Sequence, residues 1–344
     1  AELRRKTKEG LFTYKEEKIV VGEPASAGEL IVNFLLGFLM GFKLIGAFLD
    51  RNTLVDTQTY ILSAQGSWVA GIIMGLLFAF LKWQEKNKTK LPKPEERIVR
   101  IWPYDRVGDM VIYAFIFGFL GAKIFHNLEN LDDLMRDPWG SLISFSGLTF
   151  YGGLICATIA IWQYCKRNNM KPIHVADAIA PAMMLAYGLG RIGCQVAGDG
   201  DWGIVNTHPK PFTWVPDWAW AYTYPHNVVG EGVHIPDCVG QYCAQLPNAV
   251  FPTPLYEIIT CLLLFGFLWS IRKKIKTPGV LTAIYLIVNG LERFSIELIR
   301  VNTKYHFLGI NPTQAELISA FLVVSGITLL IIFTRQHHKQ LVKQ

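Results

Sequence analysis

The chain has 344 residues, 51% of them hydrophobic and 17% charged, with a mean hydropathy of +0.28, and its apolar residues gather into long runs. That excludes a sizeable soluble core and predicts one polytopic membrane domain. The formal charge of +6 does not mark a nucleic-acid binder, because the basic residues lie in short tracts beside apolar runs and not along one face.

In chain order, Ala1–Lys18 is polar and basic and carries no cleavage signal, and the lack of an initiator Met leaves room for an upstream segment. Eight membrane spans follow, at 30–48, 66–81, 108–125, 148–164, 176–197, 254–270, 280–299 and 315–333, each bounded by charge, Gly or Pro. The 82–106 loop holds Lys86, Lys88, Lys90, Lys93, Arg97 and Arg100; other basic clusters are Lys166-Arg167, Arg272-Lys273-Lys274, and Arg335 with Lys339. Excess Lys and Arg mark cytoplasmic loops, so these face inward, with both chain ends. The alternate loops face outward: 126–141 sets Arg136 against Glu129, Asp132, Asp133 and Asp137, and 199–252 has Lys210 as its sole Lys or Arg. Long structureless connections are uncommon, so 199–252 is expected to fold as a small periplasmic head. Its Cys238 and Cys243 are spaced either for a local disulfide or as free thiols. The predicted fold is an all-α polytopic transmembrane helix bundle of about eight spans.

Gly28-Glu29 and an apolar run to Gly41-Phe-Lys43 match Gly108-Asp109 and a run to Gly121-Ala-Lys123, 80 residues on. ILSAQGSWVAGII (61–73) resembles LISFSGLTFYGGLI (142–155) with one residue inserted. Two hairpins in the same orientation imply a parallel duplication. Where the first copy has Ala70 before one glycine, the second has Tyr151 before Gly152 and Gly153. Small residues such as Gly37, Gly41, Gly118, Gly121, Gly152 and Gly153 permit close helix contact.

Arg191 and Arg293 interrupt apolar spans. A cation costs roughly 2.5–3.5 kcal/mol in the hydrocarbon layer, so such arginines face a cavity, a partner or an anionic substrate. At about 1.5 Å per residue both lie roughly 10 Å below the outer surface, level with Tyr151, Tyr256 and Glu257 at the starts of their spans. Asn289, Arg293, Glu297 and Arg300 share one side of a helix, and Tyr187, Arg191 and Gln195 form a similar stripe beside Gly188, Gly190 and Gly193. Guanidinium groups suit phosphate because they stay charged and donate paired hydrogen bonds. An internal Arg–Glu ladder is the competing structural role for Glu297 and Arg300. Asp177 reads as an N-terminal cap, and Trp202, Trp214, Trp218 and Trp220 as an interfacial belt or a loop lying on the membrane. No dense carboxylate or His/Cys cluster implies a metal.

GLTFYGGLI (147–155), DAIAPAMMLAYGLGRIGCQVAGDGDWG (177–203), PTPLYE (252–257) and NGLERFSIELIR (289–300) occur in the order found in bacterial prolipoprotein diacylglyceryl transferases, which the chain resembles from about residue 104 onward. The resemblance implies an inner-membrane enzyme that moves the sn-1,2-diacylglyceryl group of phosphatidylglycerol onto the lipobox cysteine of a preprolipoprotein signal peptide; with no ligand cluster in the sequence, no cofactor is expected. A thioether forms and glycerol phosphate leaves, with the active site toward the periplasmic leaflet. By motif position Arg191 and Arg293 are the family's essential arginines. Gly152, Gly153, Gly190, Asn289, Tyr256, Glu257, Glu297 and Arg300 fall on substrate-binding motifs.

Three positions depart from the family pattern. Tyr151 stands where the family has a histidine base, Cys194 replaces an asparagine, and G-D-G-D-W-G leaves Asp199 or Asp201 as the acid. Tyr151 is a poor base at an ordinary pKa near ~10, so it orients lipid or relays a proton. The domains then read as a cytoplasmic segment at 1–29, an added hairpin with a basic loop at 30–103, and a catalytic membrane domain at 104–344. The rival from another class is a small-solute transporter, suggested by the parallel repeat and buried charges.

Overall fold

The structure is a computed structural model that describes residues 1–49, 60, 65–143, 149–301 and 312–342. It divides into two compact units, one of Thr7–Met170 and the other of Lys171–Gln344 with Ala1–Lys6.

In the first unit, strand β1 (Lys15–Val21) leads into helix α2 (Ala27–Met40), which runs on through a π-helical turn, Gly41–Ile45, to Leu49. The helix before β1, α1 (Glu2–Lys8), crosses into this unit at its last residues. Helix α3 (Trp68–Thr89) completes a hairpin with α2. Strand β2 (Glu95–Ile101), helix α4 (Val107–Glu129) and helix α5 (Phe150–Arg167) then repeat the plan. Ser26 and Glu29 fix the start of α2 by a reciprocal capping box: Glu29 N–H donates to Ser26 Oγ at 3.1 Å, and Ser26 N–H to Glu29 Oε2 at 3.0 Å.

Equivalent contacts hold both hairpins. Ser67 N–H donates to Phe42 O at 3.0 Å, and Thr149 N–H to Ala122 O at 3.1 Å. A Cβ on Gly41 would meet Ala70 O at 2.3 Å and Met74 Cβ at 2.8 Å; one on Gly121 would meet Gly152 O at 2.6 Å and Cys156 Cβ at 2.4 Å. The duplicated segments are therefore the same packing unit, with backbone-to-backbone approach that a side chain would block. These contacts correct one detail of the sequence alignment: Ala70 corresponds to Gly152 and Val69 to Tyr151, so the inserted residue precedes Thr149. Residues 61–64 and 144–148 of the matched segments lie outside the described residues.

The strands were not expected. β1 and β2 pair antiparallel, with Lys18 opposite Ile98, and their short β-branched runs sit among charges that mask any alternation. Since β2 occupies in the second copy the place of β1 in the first, the ribbon joins two equivalent segments, and such antiparallel pairing is inherently two-fold.

The second unit holds α6 (Pro172–Ala197), α7 (Thr253–Ile271), α8 (Val280–Glu297) and α9 (Gln314–Val342). α6 packs along α7 and touches α8, while α8 lies along α9. Pro172 occupies the first turn of α6, and Gly198 ends it in the left-handed region at φ 62°. The core among α6, α7 and α8 is Met184, Cys261, Leu268 and Leu281. Segment 199–252 is folded on its own small core of Trp202, Tyr224, Leu246 and Val250, and a Cys238–Cys243 disulfide closes a short loop within it. Trp214 and Trp218 are exposed, so the four tryptophans do not form one belt.

The long helices coincide with the predicted spans. Among the described residues six are long and apolar enough to cross a membrane; α5 and α8, at 18 residues each, are not among those six. Phe115, Phe150, Leu263 and Phe321 are largely exposed, as an all-α polytopic membrane protein requires.

Gly121 and Gly118 provide a matched test of the hairpin. Gly121→Ala should destabilise the protein by ~1–3 kcal/mol through overpacking, whereas a Cβ on Gly118 meets nothing closer than 3.7 Å. Thermal unfolding in detergent should therefore show a clear loss for Gly121→Ala and little change for Gly118→Ala; equal behaviour would contradict the packing.

Candidate active site

The site is built within the second unit, where α6, α7 and α8 converge. Glu257, fully buried in the second turn of α7, is its centre. Its Oε1 accepts from Arg293 Nη1 at 2.9 Å and from Tyr187 O–H at 2.8 Å, while its Oε2 lies 2.9 Å from Arg191 Nε. One carboxylate thus holds two guanidinium groups from two other helices. Arg191 also stacks over the Tyr187 ring at 5.1 Å, donates to Tyr187 Oη at 3.3 Å and contacts Cys194 Sγ at 3.6 Å.

A second carboxylate extends the cluster. Asp201 is ion-paired with both Arg191 and Arg300, and its own carbonyl accepts from Thr253 Oγ1 at 2.6 Å. Glu297 lies 3.5 Å from Arg293 Nη2. Arg191, Arg293 and Arg300 are therefore matched by Glu257, Glu297 and Asp201, which offsets part of the cost of taking these charges out of water. Asp199 is exposed, with Oδ1 accepting Asp201 N–H at 3.3 Å. Among the described residues, no Lys or Arg pairs with it.

Buried donor capacity remains. Arg300 Nε and Nη1 have no hydrogen-bond partner among the described residues, and the Arg300 side chain is only 8% exposed. Unsatisfied guanidinium donors out of water favour an anion strongly.

Several sequence expectations change in detail. α8 ends at Glu297, so Arg300 lies beyond the helix, where Gly203 forms a β-bridge with it and Ile204 N–H donates to Ile299 O at 2.9 Å. The four-residue stripe is thus split: Asn289, Arg293 and Glu297 are on the helix, and Arg300 is brought in by the 199–252 segment. Asp177 does not cap its own helix. It is buried inside α6 and caps α8, accepting from Gly279 N–H at 2.8 Å, Thr282 N–H at 2.9 Å and Thr282 O–H at 2.8 Å. Of the two candidate acids, Asp201 is the one bound by arginine.

The remaining predicted residues fall around these. Gly190 and Gly193 face open space, while a Cβ on Gly188 would meet Cys261 Cβ at 2.9 Å. The Tyr256 hydroxyl donates to Trp220 O at 3.4 Å, Gln195 accepts from Tyr224 O–H at 2.9 Å, and Asn289 is half-buried. Tyr151, Gly152 and Gly153 belong to the Thr7–Met170 unit. There Gly152 and Gly153 face α4 at Phe125, Gly121 and Gly118, and Tyr151 stacks edge-on with Phe150 at 5.6 Å.

Two participants escaped the sequence reading. Thr253, fully buried, anchors Asp201 from the PTPLYE motif. Glu292 is buried beside Arg293 in sequence, and neither of its carboxyl oxygens has a hydrogen-bond partner among the described residues. The signal was present in Glu292-Arg293, but a charged neighbour reads as an ion pair, and neighbours on a helix point apart. Cys194, Asp199 and Asp201 bring ligand atoms within 4.8 Å of one another; two guanidinium groups already occupy Asp201.

Fold and cluster together define a class: a polytopic membrane protein with an arginine–carboxylate cluster set among its helices. A sequence model of the prolipoprotein diacylglyceryl transferase family matches residues 67–332. The chain belongs to that family. The match reaches further toward the N-terminus than the motifs, which begin near residue 147.

Among similar proteins is one from Chlorobaculum tepidum, 27% identical over 67% of this chain and 75% of its own length. Another, from Dehalococcoides mccartyi strain BAV1, is 28% identical over 76% of this chain and 87% of its own. One from Staphylococcus haemolyticus is 28% identical over 70% and 77%. Each is named phosphatidylglycerol–prolipoprotein diacylglyceryl transferase.

Removing the central charge tests the cluster. Glu257→Gln keeps the shape but leaves Arg191 and Arg293 facing each other unneutralised, which should cost about 3–5 kcal/mol. Thermal unfolding of the purified variant should fall by many degrees; an unchanged midpoint would show that Glu257 does not hold the arginines.

Proposed function

We propose that this chain transfers the diacylglyceryl group of phosphatidylglycerol to the lipobox cysteine of preprolipoproteins. The observation that carries this reading is the cluster of three part-buried arginines, two clamped by one carboxylate and the third with N–H donors that have no partner among the described residues. Family membership and the names of the relatives support the same donor and acceptor. The transport reading gains no support from them.

The lipid phosphate lies against Arg191, Arg293 and Arg300. The cysteine sulfur attacks the glycerol carbon that carries the phosphate ester, forming the C–S bond as the C–O bond breaks and its electron pair passes to the phosphate oxygen. Charge grows on the departing glycerol phosphate, where preorganised donors act; each such donor is worth about 10²–10³ in rate. A thiol with a pKa near ~8.5 must lose its proton. Asp199 is assigned as the carboxylate that accepts it, a role supported by its exposure and its lack of an arginine partner among the described residues. Asp201 is held by Arg191 and Arg300 and serves to position them.

Tyr151 is assigned by motif position as a hydroxyl that orients the lipid or relays the proton. Gly190, Asn289, Tyr256 and Glu297 complete the substrate-binding set, while Gly152 and Gly153, which fall on a family motif, pack against α4 in the hairpin that carries Tyr151. The enzyme works in the bacterial inner membrane with the cluster toward the periplasmic leaflet and the C-terminus in the cytoplasm, an orientation supported by the distribution of Lys and Arg among the loops. Its partners are phosphatidylglycerol and the signal peptide bearing the lipobox cysteine.

Purified protein given phosphatidylglycerol and a lipobox peptide should yield a diacylglyceryl thioether and glycerol phosphate. Arg191→Ala and Arg293→Ala should each lower turnover at least ~10²-fold with expression retained; full activity in either removes that arginine from the mechanism. Tyr151→Phe should slow turnover if the hydroxyl acts, and an undiminished rate would exclude it.

A further inference from the structure

The Thr7–Met170 unit contains a cleft of about 390 Å³ between the start of α4 and the end of α5. We propose that it holds the headgroup of an anionic phospholipid, with the phosphate against Lys15 and Arg167. The leaflet, cytoplasmic, rests on the orientation proposed above; the chemistry of the cleft does not.

Arg106 forms the back wall. It is 8% exposed, ion-paired with Glu17 and 3.5 Å from Tyr164 Oη. Tyr164 O–H in turn donates to Asp109 Oδ2 at 2.7 Å. Glu17 is shared with Lys15, 3.3 Å away, and the Arg106 guanidinium holds its carboxyl below the ordinary carboxylate range. Lys15, Arg106 and Arg167 therefore face two carboxylates, Glu17 and Asp109, leaving one positive charge in excess. One phosphodiester carries one negative charge.

Position and shape fit the same ligand. The cleft lies at the polar ends of two membrane helices, the level of lipid headgroups. It is bordered by Ile112, which is 57% exposed, and beyond it Phe115 and Ile116 continue an exposed apolar face along α4. A lipid laid there would place its phosphate among cations and its chains on that face; a soluble anion would use only the polar half.

The duplication supplies an internal comparison. By the equivalences that the hairpin contacts establish, Asp109 corresponds to Glu29, Asn168 to Lys86 and Arg106 to Ser26. In the first copy Lys86 Nζ closes on Glu29 Oε1 at 2.9 Å, and Ser26 is consumed in the capping box. The second copy lacks that lysine, commits its acid to Tyr164, and has an arginine where the serine stands. The same scaffold is thus shut by an ion pair in one copy and left as a cationic cleft in the other.

The test uses the full chain in non-ionic detergent and native mass spectrometry with dioleoyl phosphatidylinositol, a singly charged phosphodiester that is not the proposed diacylglyceryl donor. Wild type should retain this lipid in preference to phosphatidylcholine. Lys15→Gln with Arg167→Gln should weaken retention about tenfold, the scale of losing charge-assisted contacts, while turnover of phosphatidylglycerol persists. Asp109→Asn should strengthen retention, a gain that misfolding does not produce. Equal retention by wild type and the double variant, no preference over phosphatidylcholine, or displacement by millimolar inorganic phosphate would each overturn the proposal. So would loss of the bound lipid on Arg191→Ala with retention in the double variant, which would assign it to the transferase site instead.

Discussion

A single carboxylate, Glu257, makes the arrangement of α6, α7 and α8 possible. Two guanidinium groups brought together in an apolar layer repel each other strongly, and each alone would be expensive to bury. Glu257 touches both and is itself fully shielded from solvent. The rest of the unit serves to keep it there: Gly188 lets α6 approach Cys261 on α7, and Asp177 caps α8 from within α6. The 199–252 segment returns Asp201 and Arg300 to the same point. Charge neutrality within the resting cluster has a chemical consequence. An incoming phosphate finds no excess charge there: it meets the unfilled donors of Arg300 and competes with Glu257 and Asp201 for those of Arg191 and Arg293.

The duplicated hairpins show how little sequence is needed to preserve a membrane packing unit. What persists between the copies is a backbone approach, Gly41 on Ala70 and Gly121 on Gly152, together with a cap whose N–H reaches the opposing helix. The polar residues at the ends have diverged. Glu29 and Lys86 seal one hairpin, whereas Asp109, Tyr164 and Arg106 line an opening in the other. Divergence at helix ends is cheap because their groups lie near water, while the apolar contact must hold in lipid.

Much of the fold was legible because a membrane span is written as an uninterrupted apolar run, and the long helices follow those runs. Arg191 and Arg293 were legible for the opposite reason, as charges where the surrounding pattern forbids them. Their partner was harder to read. Glu257 opens a different span, 66 positions beyond Arg191, and only tertiary structure joins them. The choice between Asp199 and Asp201 turned on a one-residue difference in a loop, which no periodicity records. Arg300 looked like the last turn of a helix, yet the chain leaves the helix at Glu297 to pair with Gly203. Asp177 resembled a local cap because a sequence shows only its own neighbours. β1 and β2, each a short run among charges, become strands only through each other.

The most direct measurement is equilibrium binding of a short-chain phosphatidylglycerol to wild type and to Arg191→Lys. Lysine keeps the positive charge but loses the planar fork that meets Glu257, Asp201 and phosphate together. If guanidinium geometry holds the lipid phosphate, the variant should bind at least about tenfold more weakly, the scale of losing one charge-assisted contact. Equal affinity would contradict the account.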